Sequence, residues 1–144
     1  MLMDMSARSP RRVIGVLLIL ALSIPVGAAA ARENRRDKAR PAQIAGTSGS
    51  DVLDGTSNAD VIRGKGGNDT LDGAGGDDTV SGDGGNDVIR GGTGRDVLLG
   101  GAGNDRIFAR DGDSDTIACG RGRDTVQADR ADTITGECEV VRAQ

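Results

Sequence analysis

The 144-residue sequence predicts an all-β fold, a right-handed parallel β-roll of about five coils, with two short strands in each 18-residue coil. Every ninth residue from Gly46 to Gly100 is a glycine, and an aspartate follows each glycine by five positions. A branched aliphatic residue follows each of these aspartates by two positions. Seven unbroken copies of one nine-residue unit indicate a solenoid rather than a linker, because a solvated tail has no reason to keep register.

Each unit divides into a turn and a short strand. In the unit Gly64–Asp72, the first six residues are typical of turns and the last three are typical of a strand. The fourth residue is glycine in six units and Asn58 in the other, which predicts a positive φ at that position. The aliphatic eighth residue should point inward and its neighbours outward. We expect strands near residues 52–54, 61–63, 70–72, 79–81, 88–90, 97–99, 106–108, 116–118 and 125–127.

The core of such a roll is thin, because the chain has 24 glycines, one phenylalanine and no tyrosine or tryptophan. Each coil would bury about two aliphatic side chains, which contribute roughly 1.5–3 kcal/mol each. Ordering each residue costs about 1–2 kcal/mol in backbone entropy alone. An interaction other than apolar burial must therefore hold the coils together.

The aspartates of the repeat should form two columns, because stacking brings residues 18 positions apart above one another. Neighbouring strands lie about 4.8 Å apart. At that separation two carboxylates repel by roughly 3–4 kcal/mol for an effective dielectric constant of 20. A cation between the coils would reverse the sign of this interaction. One column holds Asp51, Asp69, Asp87 and Asp105, and the other holds Asp60, Asp78 and Asp96.

Calcium is the cation that these residues favour. It accepts about six to eight oxygen ligands in flexible geometry, whereas magnesium requires a tight octahedron and retains its waters. The absence of histidine and the presence of two cysteines argue against zinc. Between Gly46 and Val141 there are nineteen acidic and nine basic residues, a net charge of −10, which excludes a nucleic-acid surface. We expect several calcium ions.

The repeat becomes irregular after Phe108. Asp115 follows Asp105 by ten residues, Asp124 follows by nine and Asp132 by eight, and each keeps an aliphatic residue two positions later. These three degenerate units predict a fifth coil that closes the roll. The start of this segment also resembles an EF-hand loop, but Thr116 and Gly122 replace the glycine and glutamate that such a loop requires.

The two cysteines, Cys119 and Cys138, are 19 residues apart, close to the length of one coil. Stacking would bring them within bonding range, and a disulfide is the default in an exported chain. Closing this loop would stabilise the last coil by about 3 kcal/mol. Free thiols and intermolecular pairing are the alternatives.

The units Gly91–Leu99 and Gly100–Phe108 match the pattern G-G-x-G-x-D-x-U-x at every fixed position. This pattern resembles the RTX, or haemolysin-type, calcium-binding repeat. The other five units lack the second glycine. The resemblance implies calcium in the turns, bound by aspartates two units apart.

The expected metal ligands are the sixth residue of each unit and backbone carbonyls of the glycine-rich turns. The carboxylate ligands are Asp51, Asp60, Asp69, Asp78, Asp87, Asp96, Asp105, Asp115, Asp124 and Asp132. The carbonyl ligands are those of Gly64, Gly66, Gly73, Gly75, Gly82, Gly84, Gly91, Gly92, Gly100 and Gly101.

The N-terminal segment predicts export. Three arginines in residues 1–12, an apolar run over 13–24 and a small-residue stretch up to residue 31 are typical of a secretory signal peptide, residues 1–31, cleaved near Ala30 or Ala31. An uncleaved membrane anchor is the alternative. Residues 32–45 are charged and read as a flexible mature N-terminus, which leaves 46–141 as the roll.

These features predict a secreted calcium-binding protein that folds around calcium outside the cell. The alternative is a calcium-stabilised adhesion or scaffold module that contacts cell-wall polymer, matrix or another secreted protein. An enzyme is not expected, since the carboxylates are better explained as ligands and the chain has no histidine. We expect neither a nucleic-acid partner nor a membrane span in the mature chain.

Overall fold

Parallel strands stack into two sheets that share one core, and together they form a solenoid of about five coils. The structure is a computed structural model that describes residues 11–12 and 40–142, with side chains from 40 to 140. The described residues contain strands and no helix. The strands are β1 (Arg11–Arg12), β2 (Gln43–Ala45), β3 (Asp51–Asp54), β4 (Val61–Arg63), β5 (Thr70–Asp72), β6 (Thr79–Gly84), β7 (Val88–Arg90), β8 (Val97–Ala102), β9 (Arg106–Ala109), β10 (Thr116–Arg121), β11 (Asp124–Ala128), β12 (Thr133–Thr135) and β13 (Cys138–Arg142).

Odd-numbered and even-numbered strands separate into different sheets, because the chain changes sheet after every unit. The odd sheet has the order β1-β3-β5-β7-β9-β11-β13, and the even sheet has the order β2-β4-β6-β8-β10-β12. All strand pairs within these two sheets are parallel. This confirms the predicted all-β parallel roll.

The register stacks each inward aliphatic side chain on its counterpart one coil away. In the odd sheet, Leu53 is opposite Leu71, and Leu71 is opposite Ile89. In the even sheet, Ile62 is opposite Val80. The eighth residue of every regular unit is fully buried, as the alternation of the repeat predicts. The aliphatic core consists of Leu53, Ile62, Leu71, Val80, Ile89, Leu98, Ile107, Ile117 and Val126.

All nine strands expected from the sequence are present, and the structure adds strands at both ends. Gln43–Ala45, which the sequence analysis assigns to the flexible N-terminal segment, form β2 and pair with Val61–Arg63. The sheet therefore begins before residue 46. Of the predicted signal peptide, the structure describes only Arg11–Arg12, which pair with β3. The rest of that prediction lies outside the described residues.

The turns have two backbone conformations. The fourth residue has a positive φ in the five units from Gly64 to Phe108, as predicted, but Gly49 and Asn58 in the first two units do not. In the third to fifth units the second residue also has a positive φ, at Lys65, Ala74 and Asp83. These three side chains occupy a conformation that costs roughly 1–2 kcal/mol for a non-glycine residue. The first two turns are thus built differently from those that follow.

Candidate metal centre

The aspartates predicted as ligands are buried. Each stands just before a strand or at its first residue, where the turn joins the sheet. Eight of the ten are only 1–2% exposed, and the other two, Asp51 and Asp132, are 5% and 7% exposed. Ten buried carboxylates in one small roll are unusual, since aspartate is rarely buried without a partner.

In every one of these carboxylates except Asp51, Oδ1 accepts a backbone N–H of the preceding coil. The backbone N–H of Asp69 donates to Oδ1 of Asp87 over 2.8 Å, and that of Asp87 donates to Oδ1 of Asp105 over 2.9 Å. The same bond recurs between successive aspartates along both edges of the roll. The sequence predicts repulsion and a bridging cation within each column, but not this hydrogen bond. This bond forms only if the turn orients the backbone N–H toward the next coil. The sequence does not reveal that orientation.

The second oxygen, Oδ2, has no hydrogen-bond partner in seven of these carboxylates, although it is buried. An unpaired buried carboxylate oxygen carries a large desolvation penalty unless a cation or donor satisfies it. This row of unpaired oxygens is the main electrostatic feature of the described residues. The seven are Asp69, Asp78, Asp87, Asp96, Asp105, Asp115 and Asp124.

The first glycine of each unit makes room for this oxygen. A Cβ atom built on Gly64 would overlap Oδ2 of Asp69 and would also lie 2.8 Å from the carbonyl oxygen of Gly82. On Gly82 it would overlap Oδ2 of Asp87. At five of the seven regular units, the first glycine therefore leaves a space in which a carboxylate oxygen and a carbonyl oxygen come close together: Gly46, Gly64, Gly73, Gly82 and Gly100.

Three carboxylates near the ends of the roll are satisfied by the chain itself. Oδ2 of Asp51 accepts hydrogen bonds from the backbone N–H and hydroxyl of Thr47, at 2.5 and 2.9 Å. Oδ2 of Asp60 accepts the same pair from Thr56, at 2.6 and 2.8 Å. At the other end, the backbone N–H of Asp129 donates to Oδ2 of Asp132 over 2.8 Å. Unpaired oxygens therefore begin at the third unit and continue to Asp124, the last aspartate of its column.

Burial raises the pKa of the central aspartates. The pKa of Asp115 is raised to about 7, by burial first and then by the negative charges of Asp111, Asp96 and Asp132. Burial and neighbouring aspartates raise the pKa of Asp78 and Asp87 to about 6. The ionised carboxylates are therefore disfavoured in the roll without a counter-charge, which agrees with the unpaired oxygens.

The donor set is composed of oxygen atoms, as hard divalent cations prefer. Carbonyls of the turns lie beside the carboxylates, but some are already engaged: that of Gly73 accepts from the Gly75 amide, and that of Gly84 accepts from the Gly67 amide. Each of these oxygens retains a second lone pair. The carbonyl ligands predicted from the sequence remain predictions.

A ladder of asparagines provides a contact between coils that the sequence analysis missed. Oδ1 of Asn68 accepts from the backbone N–H of Asn86 at 2.8 Å, and Oδ1 of Asn86 accepts from that of Asn104 at 2.7 Å. Oδ1 of Asn104 continues the ladder to the backbone N–H of Arg123 at 2.8 Å. The recurrence of asparagine every 18 residues was a visible signal of this ladder.

The last coil is covalently closed. Cys119 in β10 and Cys138 in β13 form a disulfide, with their Cα atoms 6.0 Å apart. The predicted pairing is therefore present, but the bond links the even sheet to the odd sheet, whereas the spacing predicted cysteines stacked one coil apart. It lies at the end of the roll where the regular repeat has been lost.

A parallel roll whose turns hold columns of buried, unpaired carboxylates defines a metal-binding repeat protein. The family model of the RTX calcium-binding nonapeptide repeat (4 copies) matches residues 45–80, 81–114 and 90–126. These matches span more than half of the chain, which therefore belongs to this calcium-binding repeat family. No curated protein and no solved structure gives a match to the chain. Over residues 11–12 and 40–142, no helix is long and apolar enough to span a membrane.

Proposed function

We propose that this protein is exported and binds several calcium ions in the turns of its roll, so that calcium binding and folding are coupled outside the cell. The observation that carries the proposal is the row of seven buried Oδ2 atoms without a hydrogen-bond partner. Membership of a calcium-binding repeat family supports calcium as the ion. The role is binding and structural rather than catalytic.

The carboxylates with unpaired oxygens are the ligands in this proposal, from Asp69 to Asp124. Each uses Oδ1 to accept an amide of the preceding coil, so the carboxylate is fixed in orientation before an ion arrives. Oδ2 then supplies negative charge at the turn, where carbonyl oxygens of the adjacent coil complete the ligand set. Asp51, Asp60 and Asp132, also expected as ligands from the sequence, already accept chain donors at Oδ2. We assign them to the ends of the roll rather than to an ion.

The coupling to folding follows from the balance of energies. The apolar core is one aliphatic side chain per unit, and the buried carboxylates oppose folding while they are ionised and unpaired. A bound ion removes that penalty and adds its own binding free energy to the folded state alone. Millimolar calcium outside the cell would therefore favour the roll, and low calcium in the cytosol would favour the open chain during export.

Two features support export. Residues 1–31 have the composition of a signal peptide. The disulfide between Cys119 and Cys138 is typical of an oxidising compartment. We place the mature protein outside the cell on these grounds.

Calcium titration of the exported, oxidised protein tests the proposal. Far-ultraviolet circular dichroism should show a cooperative gain of β-structure, and equilibrium dialysis should count several bound ions. Magnesium at the same concentration is the control and should give a much smaller change, since it keeps its waters. An unchanged spectrum together with no calcium uptake at neutral pH would contradict the proposed function.

A further inference from the structure

The eighth unit differs from the seven before it in the length of its turn. Asp115 follows Asp105 by ten residues instead of nine, and the extra residue belongs to the exposed segment 110–114. This segment contains two acidic residues, Asp111 and Asp113. The insertion thus adds negative charge to an edge of the roll that already carries the carboxylate column.

One of the added residues comes close to the column. Carboxylate oxygens of Asp96, Asp111 and Asp115, one from each, all lie within 4.8 Å of one another. Over the part of the chain that the structure describes, this is the one group of three acidic, histidine or cysteine side chains with such close ligand atoms. Asp111 is exposed, whereas Asp96 and Asp115 are 1% and 2% exposed.

The two buried members of this group each have an unsatisfied oxygen. Oδ1 of Asp96 accepts the backbone N–H of Asp78, and Oδ1 of Asp115 accepts that of Asp96. Their Oδ2 atoms have no hydrogen-bond partner. These are unpaired, almost fully buried oxygens next to a third carboxylate. A bound cation would satisfy both of these oxygens and offset the repulsion among the three carboxylates.

The turn holds Asp111 in place. Its Oδ1 accepts the backbone N–H of Asp113 at 2.9 Å, and Oδ2 of Asp113 accepts the backbone N–H of Gly94 at 3.1 Å. The inserted segment is therefore tied to the turn one coil earlier, which contains the residues just before Asp96. The side chain of Asp111 is therefore held near Asp96 and Asp115 before an ion binds.

We propose that Asp111 is an additional calcium ligand and that the site formed by Asp96, Asp111 and Asp115 is the tightest calcium site of the protein. Three carboxylates converge there, whereas the repeat supplies two per site elsewhere. Because calcium affinity rises with the number of charged ligands, this site fills first as calcium increases. The proposal rests on the proposed function, since it assumes that the roll binds calcium.

Competition with a chromophoric calcium chelator measures the affinity of each class of site in the oxidised protein. We expect one ion to bind more tightly than the rest, and Asp111→Asn to weaken that ion by about tenfold while leaving the weaker class unchanged. Asparagine keeps an oxygen that accepts the Asp113 amide, so the turn is retained. The matched control is Asp54→Asn, which removes an exposed charge in the first coil and should leave both classes intact.

Europium luminescence gives a second measurement, because its lifetime counts the waters on the bound ion. In Asp111→Asn one ion should gain a water, whereas Asp54→Asn should gain none. If the wild-type protein binds several calcium ions and Asp111→Asn has an unchanged binding curve and lifetime, this proposal is wrong and the proposed function stands. If the wild-type protein binds no calcium, both are wrong.

Discussion

The first two units and the five that follow share one sequence pattern, but they differ in whether the chain donates hydrogen bonds to Oδ2 of the buried aspartate. In the first two, Thr47 and Thr56 each donate two hydrogen bonds to Oδ2 of the aspartate in the same turn. From the third unit to the seventh, the corresponding oxygen has no partner. The eighth and ninth units share this feature, since Asp115 and Asp124 also have an unpaired Oδ2.

The second residue of the unit accounts for the difference. Threonine lies there in the first two units without a positive φ, and its amide and hydroxyl face the carboxylate. Lys65, Ala74 and Asp83 take a positive φ at that position, as do Gly92 and Gly101 in later units. The turn then provides no donor to Oδ2. The second residue of the unit thus distinguishes turns whose carboxylate accepts two hydrogen bonds from turns whose Oδ2 is unpaired.

The largest expected effect is a difference in calcium binding between the variants Asp87→Asn and Asp60→Asn. Asp87→Asn removes a charge from an unpaired oxygen, so it should lower the number of bound calcium ions and reduce calcium-linked stability by about 3 kcal/mol at saturation. Asp60→Asn places an amide against two donors of Thr56, so it should lower the melting temperature in saturating calcium through a loss of about 1–3 kcal/mol.

Equilibrium dialysis and calorimetry on both variants distinguish these outcomes. The number of ions bound by Asp60→Asn should equal that of the wild-type protein. A loss of ions in Asp60→Asn as large as that in Asp87→Asn would show that the first turns bind metal and would remove the distinction between the two regions.

The pH dependence should come from the central turns. Their pKa values are raised in the roll, for Asp115 to about 7 and for Asp78 and Asp87 to about 6, so the folded state takes up protons that the unfolded chain does not hold. The metal-free roll should therefore gain stability as the pH falls from about 8 to 5. Calcium binding should weaken several-fold over the same range, because protons compete for the carboxylates.

Circular dichroism in calcium-depleted buffer at the two ends of this pH range, with a calcium titration at each, provides the measurement. Sodium chloride at matched ionic strength controls for screening. A metal-free spectrum that loses β-structure on acidification would be opposite to the expected sign.

A smaller effect on stability is expected from removing only the hydrogen bond between the threonine hydroxyl and the aspartate. Thr56→Val keeps the shape of the side chain and removes the hydroxyl that donates to Asp60, which should cost about 1 kcal/mol of stability in saturating calcium. The matched control is Thr70→Val in β5, on the outer side of the odd sheet, which should change stability by less than about 0.5 kcal/mol. Thermal unfolding followed by circular dichroism measures the stability of both variants. Equal losses of stability would contradict a specific hydrogen bond between Thr56 and Asp60.

The smallest effect concerns the backbone of the central turns. Ala74→Gly relieves a side chain held at a φ of 71°, and should stabilise the calcium-bound roll by about 0.5–1 kcal/mol. Ala59→Gly is the control, because Ala59 is exposed in a turn without a positive φ and glycine there should be destabilising. Thermal midpoints in saturating calcium compare the two. A destabilised Ala74→Gly variant would mean that the strain is absent in solution.

Much of this architecture was predictable from the sequence, because its period is strict. The recurrence of Leu53, Ile62 and Leu71 at nine-residue steps fixed the strands, the inward faces and the two sheets. The carboxylate columns also follow from the period alone. The spacing of Cys119 and Cys138 suggested the disulfide, although the bond joins strands of opposite sheets rather than positions stacked one coil apart.

The features that the sequence did not reveal depend on how backbone and side-chain polar groups are oriented within a turn. Thr47 and Lys65 both replace the second glycine of the repeat, and the sequence does not show that Thr47 donates two hydrogen bonds to Asp51 whereas Lys65 takes a positive φ. Likewise Asp111 is one of several acidic residues in an irregular segment, and its approach to Asp96 depends on how the inserted residue folds. A repeat predicts where a residue lies along the roll more readily than where its polar atoms point.

The asparagine ladder gives the roll two edges that are not interchangeable. Asparagine recurs every 18 residues on the edge that precedes the odd sheet, at Asn68, Asn86 and Asn104. On the other edge, the equivalent position of the repeat is occupied by Asp77, which accepts the backbone N–H of Arg95. Duplication of one nine-residue unit would shift all later units by half a turn and place asparagine opposite the wrong neighbours. Duplication of two units would restore every pairing. Growth of such a chain by gene duplication is therefore expected to proceed in even steps.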